Sequence, residues 1–428
     1  MPRLFLVLAV LLLVATCGPP PVGRTRAPAE PSRTSAGGGP GPTPDEPAPV
    51  IETSALPGRA RTGQWRQAAV NHGDHSTAVH DLVVLGDGTA YAVGGIHKYG
   101  RPGGLLLQRW DGSTWRQEAG PRVPVAAAAE RLVSGTSADD LWIIDPGGAA
   151  TVEAHDPGVR AFHRAGGTWS STLLGNTVRQ FYPLDLDVVA PGAAWAVGCD
   201  THAADLMKCP STVVEFRGGA WQRHSVPITA RSLSGRGPSD VWVVGHDPVT
   251  GQPAAASFDG VAWTRQSLPR LPKPTGGRIQ DWHASLLDML FTGDDELLAV
   301  GYVRWVDVGP SELRDGHEQD DGDDRFHVRS LVMRYSAGRW SYRLGVDGPA
   351  GDRLELAPAG RGDAWATDGT SRLWRLSGTR WVKQLDLRET SIEAIASWPG
   401  APTAWAATVT ETSGNGTRHR QAAYWRVD

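Results

Sequence analysis

Residues 81–121 read DLVVLGDGTAYAVGGIHKYGRPGGLLLQRWDGSTWRQEAGP and contain four short apolar runs separated by turn residues. The first two runs, LVVL and AYAV, flank the turn GDG at 86–88. The third run, at 105–110, and the fourth, at Trp115, flank the Asp-Gly pair at 111–112. Because Asp-Gly is typical of tight hairpins, this stretch predicts a four-stranded antiparallel sheet.

The same pattern recurs along the chain at intervals of roughly 40 to 67 residues. Each of seven repeats has a short run centred on an aromatic residue or, once, a leucine: Tyr91, Trp142, Trp195, Trp242, Leu298, Trp365 and Trp405. In the first six repeats a second tryptophan follows a glycine turn: Trp115, Trp169, Trp221, Trp263, Trp340 and Trp381. The seventh run has no such partner before Asp428, whereas Trp65 precedes the first repeat.

These repeats predict an all-β fold, a seven-bladed β-propeller of four-stranded antiparallel blades. We expect an N-terminal outer strand around Trp65 to complete the C-terminal blade, because closing the ring with both termini leaves no blade incomplete. The repeat tryptophans are expected to pack between neighbouring blades as core residues, rather than to serve as platforms for sugars.

The N-terminus has the pattern of an export signal. Arg3 precedes an apolar run of 12 residues, 4–15, which is too short to span a bilayer and is followed by small residues. The run ends in VATC at 14–17, which resembles the lipobox of bacterial lipoproteins and implies lipidation of Cys17. Thr16 stands where that family usually has Gly, Ala or Ser, so an uncleaved anchor and simple secretion are the alternatives.

Three segments follow from this: a lipoprotein signal peptide at 1–17, a disordered Pro/Gly-rich tether at 18–63 and the propeller at 64–428. The tether has almost no large apolar residues, so it cannot bury enough surface to offset its ordering entropy. The sequence therefore predicts an extracytoplasmic protein anchored to the cell membrane by lipid, or else secreted.

Charge and cysteine content narrow the choice of partners. The net charge is −4, so no basic surface argues for nucleic acid. Cys199 and Cys209 lie ten positions apart, and outside the cytoplasm such a pair predicts a disulfide. The alternative is a metal site completed by His202, which two thiolates and one imidazole leave short of a ligand.

Over residues 64–428 the pattern resembles bacterial secreted propellers with repeated D-x-W-A-V-G and W-D-G-x-x-W units, related in layout to kelch-like and sialidase-type propellers. The resemblance implies the fold. The Asp-box of sialidases is echoed only at Asp111-Gly112 with Trp115, and at Asp259-Gly260 with Trp263, without the leading serine or the spacing. Sialidase activity is therefore not implied.

Alignment of the innermost strands on the central aromatic residues places charged side chains near the beginnings of these strands. Six of them are predicted to surround the mouth of the central channel as ligand-binding residues: Asp81, Arg131, Asp185, Arg231, Asp288 and Glu355. The alternative is that these charges are simply hydrated.

Two clusters are weak candidates for metal binding. The acidic insertion contains Asp320, Asp321, Asp323 and Asp324, oxygen ligands of the kind that Ca²⁺ prefers, but it lacks EF-hand spacing and is more typical of a solvated loop. His72 and His75 suit a transition metal, although their spacing matches no recognised zinc motif. No cofactor is predicted, and a Ca²⁺ site at the insertion is the alternative.

No catalytic residue is predicted. The sequence has no nucleophile elbow and no Gly-rich phosphate loop, and its many acids cannot be sorted into a catalytic pair without geometry. The favoured hypothesis is a surface-tethered binding or protein-interaction module for an envelope protein or a cell-wall glycan. The alternative is a carbohydrate-active enzyme, a hydrolase or lyase, on the loop-rich face. An enzyme should bring carboxylates together in a deep pocket, whereas a scaffold should present a broad apolar patch.

Overall fold

The computed structural model describes residues 50–56, 63–72, 75–98, 101–123, 130–146, 158–174, 181–199, 210–275, 278–308, 313–314, 317–318, 325–345, 348–349, 351, 353–360, 362–378, 380–398, 400–401, 403–414 and 417–428. All of them belong to one unit, Ala48–Asp428. The predicted signal peptide, Cys17 and most of the predicted tether lie outside the described residues. Where the chain is described, no helix has the length and apolar character needed to cross a membrane.

The described strands form seven sheets of four or five strands and one small hairpin. Two strands precede the first blade: β1 (Glu52–Ala55) and β2 (Arg66–His72). Blade 1 contains β3 (Ser76–Val84), β4 (Ala90–Lys98), β5 (Arg101–Trp110) and β6 (Trp115–Gln117). Blade 2 contains β7 (Leu132–Ser137), β8 (Asp140–Asp145), β9 (Arg160–Ala165) and β10 (Thr168–Leu173). Blade 3 contains β11 (Tyr182–Ala190), β12 (Ala193–Cys199), β13 (Ser211–Arg217) and β14 (Ala220–His224).

The remaining blades follow in chain order. Blade 4 contains β15 (Thr229–Gly237), β16 (Asp240–His246), β17 (Pro253–Phe258) and β18 (Trp263–Arg265). Blade 5 contains β19 (Arg278–Gly293), β20 (Glu296–Val308), β23 (Arg325–Ser336) and β24 (Arg339–Gly345), with the small hairpin of β21 (Leu313–Arg314) and β22 (His317–Glu318) between its second and third strands. Blade 6 contains β25 (Glu355–Pro358), β26 (Ala364–Thr367), β27 (Arg372–Ser377) and β28 (Arg380–Asp386). Blade 7 begins with β29 (Thr390–Ser397), β30 (Ala404–Gly414) and β31 (Thr417–Val427).

The seven blades close into a ring. The first strand of each blade contacts the first strand of the next, in the order β3, β7, β11, β15, β19, β25, β29 and back to β3. Blade 7 is completed from the N-terminus, because β2 pairs with β31 through partners such as Gln67 and Trp425. The prediction of a seven-bladed propeller with a seam between its termini is therefore confirmed.

Aromatic side chains join each blade to the next. Trp195 of blade 3 lies 5.2 Å from Phe258 and 5.8 Å from Trp263, the hairpin pair of blade 4. The same contact crosses the seam, where Trp405 lies 5.2 Å from Trp115 of blade 1. Trp365 of blade 6 lies 5.2 Å from the ring of Trp65. In these blades the central aromatic thus packs on the hairpin aromatics of the next blade, so the repeat has two recurring places for large rings.

One strand lies where the sequence predicts tether. Residues Glu52–Ala55 pair with β2 as a fifth strand of blade 7, so the predicted disordered tether of 18–63 is wrong over this stretch. The physical reason is Ile51, which is buried among residues of blades 7 and 1 and whose N–H donates to Gln117 Oε1 at 2.6 Å. Thr53 extends a buried network by contacting Asn71 and Gln108. A single apolar side chain and a few polar bonds thus order this segment.

Candidate ligand site at the channel mouth

Five of the described innermost strands carry a β-bulge at the same place. The extra residue of each bulge is skipped in the pairing with the second strand: His80, Leu184, Arg231, Leu287 and Glu393. In four of these blades a Val-Gly pair of the second strand lies opposite the bulge. At Gly94 and Gly301 a Cβ would lie 1.9 Å from a carbonyl oxygen of the innermost strand, so only glycine fits. The Val-Gly pair therefore marks the bulge, which redirects a side chain.

The bulged side chains all line one cavity of about 410 Å³, which takes lining residues from all seven blades and so lies on the ring axis. Leucines and Tyr182 contribute apolar surface to its wall. Six acidic and three basic side chains also line it: Asp81, Glu130, Asp185, Asp288, Glu355, Glu393, Arg231, Arg304 and Arg353. A cavity of this size is large enough for a small polar ligand.

Three aspartates that follow bulges, Asp81, Asp185 and Asp288, hold neighbouring blades together. One carboxyl oxygen of each accepts the N–H of the next residue in its own strand, at 2.7 Å in each case. The other oxygen accepts a backbone N–H from the innermost strand of the next blade, at 2.7, 2.9 and 2.5 Å respectively. Glu355 makes the corresponding link to the N–H of Ile395 at 3.2 Å. Both oxygens of each aspartate are therefore already engaged.

Ser232 shows that these carboxyl groups share protons. Its Oγ lies 2.7 Å from Asp185 Oδ2 and 2.8 Å from Asp288 Oδ1. A hydroxyl carries one hydrogen and can donate to only one of the two carboxyl groups, so the other carboxyl must donate its own proton to Ser232. The geometry thus requires at least one protonated aspartate.

The pKa values of the acid ring agree with this requirement. Burial raises the pKa of Asp288 to about 8, and repulsion from Asp185 adds to the effect. Burial raises the pKa of Asp81 to about 7, against the lowering effect of its backbone donors. Burial and repulsion from Asp81 and Asp288 raise the pKa of Glu355 well above its usual value. Near neutral pH the ring therefore carries fewer charges than its composition suggests.

His80 contributes a neutral donor to the cavity. Burial lowers the pKa of His80 to about 3, and the nearby Arg131 guanidinium lowers it further. The backbone N–H of Arg131 donates to His80 Nδ1 at 3.2 Å, so the ring hydrogen resides on Nε2. The cavity wall therefore offers an imidazole N–H that does not titrate in the physiological range.

An arginine crosses the mouth of the channel. Arg353, at the start of blade 6, lies 2.8 Å from Glu130, which precedes blade 2, and 3.6 Å from Glu393 of blade 7. Blades 6 and 2 are as far apart as two blades of a seven-membered ring can be. The ion pair between Arg353 and Glu130 therefore spans the opening, and because both side chains are exposed it is a weak contact.

The structure brings together five of the six predicted channel residues and excludes the sixth. Asp81, Asp185, Arg231, Asp288 and Glu355 line the cavity. Arg131 does not, because its guanidinium is fully buried in the wall, where it lies 3.2 Å from Asp145 Oδ2 and donates to Gly94 O at 2.9 Å. Arg231 lines the cavity from the bulge position rather than from the position that the aspartates hold. The bulge inserts Arg231, and Ser232 is the residue that lies level with Asp185.

The other predicted sites are not brought together in the described part of the chain. Where residues are described, no group of three or more His, Cys, Asp or Glu side chains is placed to hold a metal ion, and this includes His72 and His75. Asp320, Asp321, Asp323 and Asp324 lie outside the described residues, as does Cys17. Cys199 is buried at the end of β12, but Cys209 is not described, so their disulfide stays a prediction.

Sequence reasoning missed several lining residues, and for some of them a signal exists. The Val-Gly pairs locate the bulges and hence His80, Leu184 and Leu287. Glu130 and Arg353 stand just before innermost strands, where the alignment has no fixed register. Arg304 lies on a β20 that runs beyond the usual blade length, and no repeated feature marks it.

Comparison with known proteins gives the fold alone. No protein-family model matches the chain, and none of the curated proteins matches it significantly. A solved structure titled U3-55K is similar with a TM-score of 0.50 and 10% identity, over 86% of this chain and 100% of the other. The structure of a polysaccharide lyase, the PL25 ulvan lyase bound to a GlcA–Rha3S saccharide, is similar with a TM-score of 0.46 and 11% identity, over 83% of this chain and 95% of the other. The structure of a protein of unknown function from Dyadobacter fermentans is similar with a TM-score of 0.40 and 10% identity, over 86% of this chain and 99% of the other. The chain is an all-β seven-bladed propeller whose channel mouth holds a polar cavity.

Proposed function

We propose that the protein is an extracytoplasmic binding module that takes a polar ligand, free or as part of an envelope partner, in the channel-mouth cavity. The observation that carries this proposal is the cavity itself, about 410 Å³ with polar side chains converging from all seven blades. Small-ligand sites are typically concave, preformed and equipped with a few fixed polar groups.

The hydrogen bonds of the acid ring support binding rather than catalysis. Asp81, Asp185 and Asp288 use both carboxyl oxygens to hold backbone N–H groups of two blades. A general acid or base must exchange a proton with the substrate, and these oxygens are committed to the ring. Because the donors lie on rigid strands, the cavity is preorganised, which lowers the cost of ordering a binding site.

The proposed setting follows from the N-terminal sequence. We place the protein at the outer side of a membrane, held by a lipid on Cys17 and a Pro/Gly-rich tether that ends before β1. A disulfide between Cys199 and Cys209 belongs to the same proposal, because it requires an oxidising compartment. The partner that suits this setting is an envelope protein or a cell-wall glycan, and a kelch- or sialidase-like origin of the propeller is part of the proposal.

A carbohydrate-active enzyme is the second candidate, and one observation favours it. Burial raises the pKa values of Asp81 and Asp288 to about 7 and 8, the range in which a carboxyl group can act as a general acid near neutrality. Incubation of the full chain with cell-wall polysaccharides tests this candidate. New reducing ends or unsaturated products that disappear in Asp288→Asn would favour the enzyme.

The binding proposal is tested by filling the cavity. Leu287 is a bulged residue of the cavity wall, and Leu287→Trp should occupy part of the space. Leu173→Trp adds the same volume on the exposed outer strand of blade 2 and is the matched control. Calorimetry with soluble cell-wall saccharides and with purified envelope proteins should show a ligand whose affinity falls at least tenfold in Leu287→Trp only. Unchanged affinity in that variant, or the absence of any ligand, would contradict the proposal.

A further inference from the structure

Arg304 differs from Arg353 in having no counter-ion among the residues that the structure describes. Arg353 lies between Glu130 and Glu393, whereas Arg304 makes no hydrogen bond or ion pair with any residue in the described ranges. Its guanidinium carbon lies 5.9 Å from the Tyr302 ring, which is a weak contact. A cation that lines a cavity without an anion beside it is ready to accept one from a ligand.

The strand pairing places Arg304 above the acid ring. Asp288 pairs with Val300, and Arg304 lies four residues further along β20, which is about 13 Å at the rise of a β-strand. An anionic ligand group at this height avoids the carboxyl groups of the cavity floor. The cavity therefore separates a floor of carboxyl, hydroxyl and imidazole groups from Arg304 at its rim, where the carboxylates of Glu130 and Glu393 are paired with Arg353.

An exposed apolar strip continues from Arg304. Val328 pairs with Arg304, and Phe326 pairs with Val306, so these four side chains share one face of the extended part of blade 5. Phe326 is 63% exposed and Val328 is 39% exposed. We call this face, made of Arg304, Val306, Phe326 and Val328, the blade 5 ledge. Phe326 is diagonal to Arg304, at a Cα separation of about 7 Å.

We propose that the cavity and the blade 5 ledge bind an acidic saccharide chain, whose carboxylate lies at Arg304 and whose next sugar ring packs on Phe326. This inference rests on the proposed binding function. The guanidinium fork matches a carboxylate, and an exposed phenyl ring with a neighbouring valine suits the apolar face of a pyranose.

The floor of the cavity favours a saccharide over an acidic peptide. The lining combines the Nε2–H donor of His80, the hydroxyl groups of Tyr182 and Thr367, and carboxyl oxygens, so donors and acceptors lie together in a small space. Sugar hydroxyl groups match that mixture, since each one donates and accepts. An acidic peptide brings further carboxylates toward the carboxyl groups of the cavity, and its backbone offers fewer donors and acceptors for its length than the hydroxyl groups of a saccharide.

The test compares tetragalacturonic acid with its fully methyl-esterified form, which has the same length and stereochemistry and no charge. Calorimetry uses the full chain and the variants Arg304→Ala, Arg304→Lys and Phe326→Ala. Arg329→Ala is the matched control, because Arg329 lies on the neighbouring strand β23 and on the face opposite the blade 5 ledge, 5.2 Å from the centre of the Trp305 ring. Thermal unfolding of each variant confirms that it folds.

We expect the acid to bind about tenfold or more tightly than the ester, in line with a charge-assisted hydrogen bond. Arg304→Ala should abolish this preference, Arg304→Lys should retain part of it, and Arg329→Ala should leave it intact. Phe326→Ala should weaken both ligands by about threefold.

Three results would overturn the inference. Equal affinity for the acid and the ester would show that Arg304 does not recognise the carboxylate. If that affinity still falls in Leu287→Trp, the oligomer binds in the cavity and the proposed function stands. Absence of binding by both oligomers would exclude this class of saccharide, while the wider panel of saccharides and envelope proteins decides the proposed function. Tighter binding of tetraglutamate that depends on Arg304 would make the ligand a peptide.

Discussion

The aspartates of the innermost strands serve first to link neighbouring blades. Asp81, Asp185 and Asp288 each accept one N–H from their own strand and one from the next blade. A buried carboxyl group that accepts strong hydrogen bonds from rigid donors stabilises the junction, but burial opposes its ionisation. The result is a ring of carboxyl groups that retain protons at a pH where aspartate is normally ionised.

The stability of the propeller should decrease as the pH rises from about 6.5 to about 8. The folded pKa of Asp288 is about 8 and that of Asp81 about 7, both above the value of 3.8 for an unperturbed aspartate. The folded state therefore binds protons that the unfolded state releases, and this contribution is lost as the pH rises through the folded pKa values. Below about pH 6.5 the buried His80, with a folded pKa of about 3, acts in the opposite direction, because the unfolded state then binds its proton. Thermal unfolding should show a melting temperature a few degrees higher at pH 6.5 than at pH 8.

The control for this prediction is Asp288→Asn, which removes one titrating group from the ring. Its melting temperature should be lower than that of the wild type at pH 5, because an amide cannot accept both backbone N–H groups. The melting temperature of Asp288→Asn should change less between pH 6 and 8 than that of the wild type. A wild-type melting temperature that rises over this range would show that the ring is ionised.

Arg131 should matter for stability and leave ligand binding unchanged. Its side chain has no exposed surface and lies against Asp145 Oδ2, which is also buried. Arg131→Met removes the cation and leaves the Asp145 carboxylate in a buried position, which should cost about 3–5 kcal/mol in the free energy of unfolding. Denaturant unfolding measures this loss, and Arg131→Met with Asp145→Leu should recover much of it. If Arg131→Met instead lowered the affinity for the ligand without lowering stability, Arg131 would be a ligand-binding residue.

At the residue scale, the sequence predicts the positions of the aspartates at the channel mouth better than those of the arginines. Asp81, Asp185 and Asp288 hold equivalent places because each follows a bulge of the same kind, so alignment on the central aromatic finds them. Arg231 stands eleven positions before Trp242, whereas Asp81, Asp185 and Asp288 each stand ten before the central residue of their repeat, so Arg231 occupies the bulge itself and Ser232 the aspartate position. Arg131 shows a different limit, since a sequence pattern gives the height of a residue along a strand but not the direction of its side chain.

Among the elements, the seam strand β2 carries the closure of the ring. It supplies the fourth strand of blade 7 through pairing with β31, and Trp65 just before it packs on Trp365 of blade 6. The seam thus repeats the aromatic contact that joins the other blades. The spacing of the tryptophans predicts this arrangement because a closed ring leaves no blade without its hairpin aromatic.

Deletion of residues 60–70 should destabilise the whole domain rather than loosen one end. The deletion removes most of β2 and exposes the edge of β31, so blade 7 loses its outer strand and its contact with blade 6. Calorimetry should show one cooperative transition at a lower temperature. An unchanged transition, or a separate low-temperature transition for blade 7 alone, would contradict the account of the seam.

The short strand β1 should contribute more than its length suggests. Ile51 is 3% exposed and packs with Ala68, Leu82 and Trp405 across the junction of blades 7 and 1. Ile51→Ala should cost about 2–4 kcal/mol in the free energy of unfolding, since it leaves a cavity in that junction. Val50, which is 80% exposed, provides the matched control, and Val50→Ala should change stability by less than about 0.5 kcal/mol. Equal effects of the two substitutions would mean that β1 is not part of the folded unit.

The sequence does not predict β1 because nothing local distinguishes it. One isoleucine followed by Glu52, Thr53 and Ser54 lies in a stretch rich in proline and alanine, without alternation of apolar residues. Its order comes from contacts with blades that are distant in sequence, such as the bond from Ile51 N–H to Gln117. Four-stranded blades, by contrast, are predicted by hairpins that are local in sequence.

At the scale of the whole molecule, the ring brings the five bulges of the described innermost strands to one axis. Residues from His80 to Glu393 in the sequence thereby contribute to a cavity that no single blade contains. Sequence repeats predict the ring, and the ring predicts a channel. The contents of the cavity follow from the bulges and from irregular residues such as Arg304 and Arg353, which break the repeat.

The central claim, that the ligand lies in the channel-mouth cavity, is tested most directly by hydrogen–deuterium exchange with and without the saccharide or envelope partner that binds best. The account predicts protection in the peptides that contain Tyr182–Asp185, Arg353–Glu355 and Arg304, and loss of that protection in Leu287→Trp. Protection confined to the outer strands, such as β6, β10 and β14, with none at the channel mouth, would contradict it.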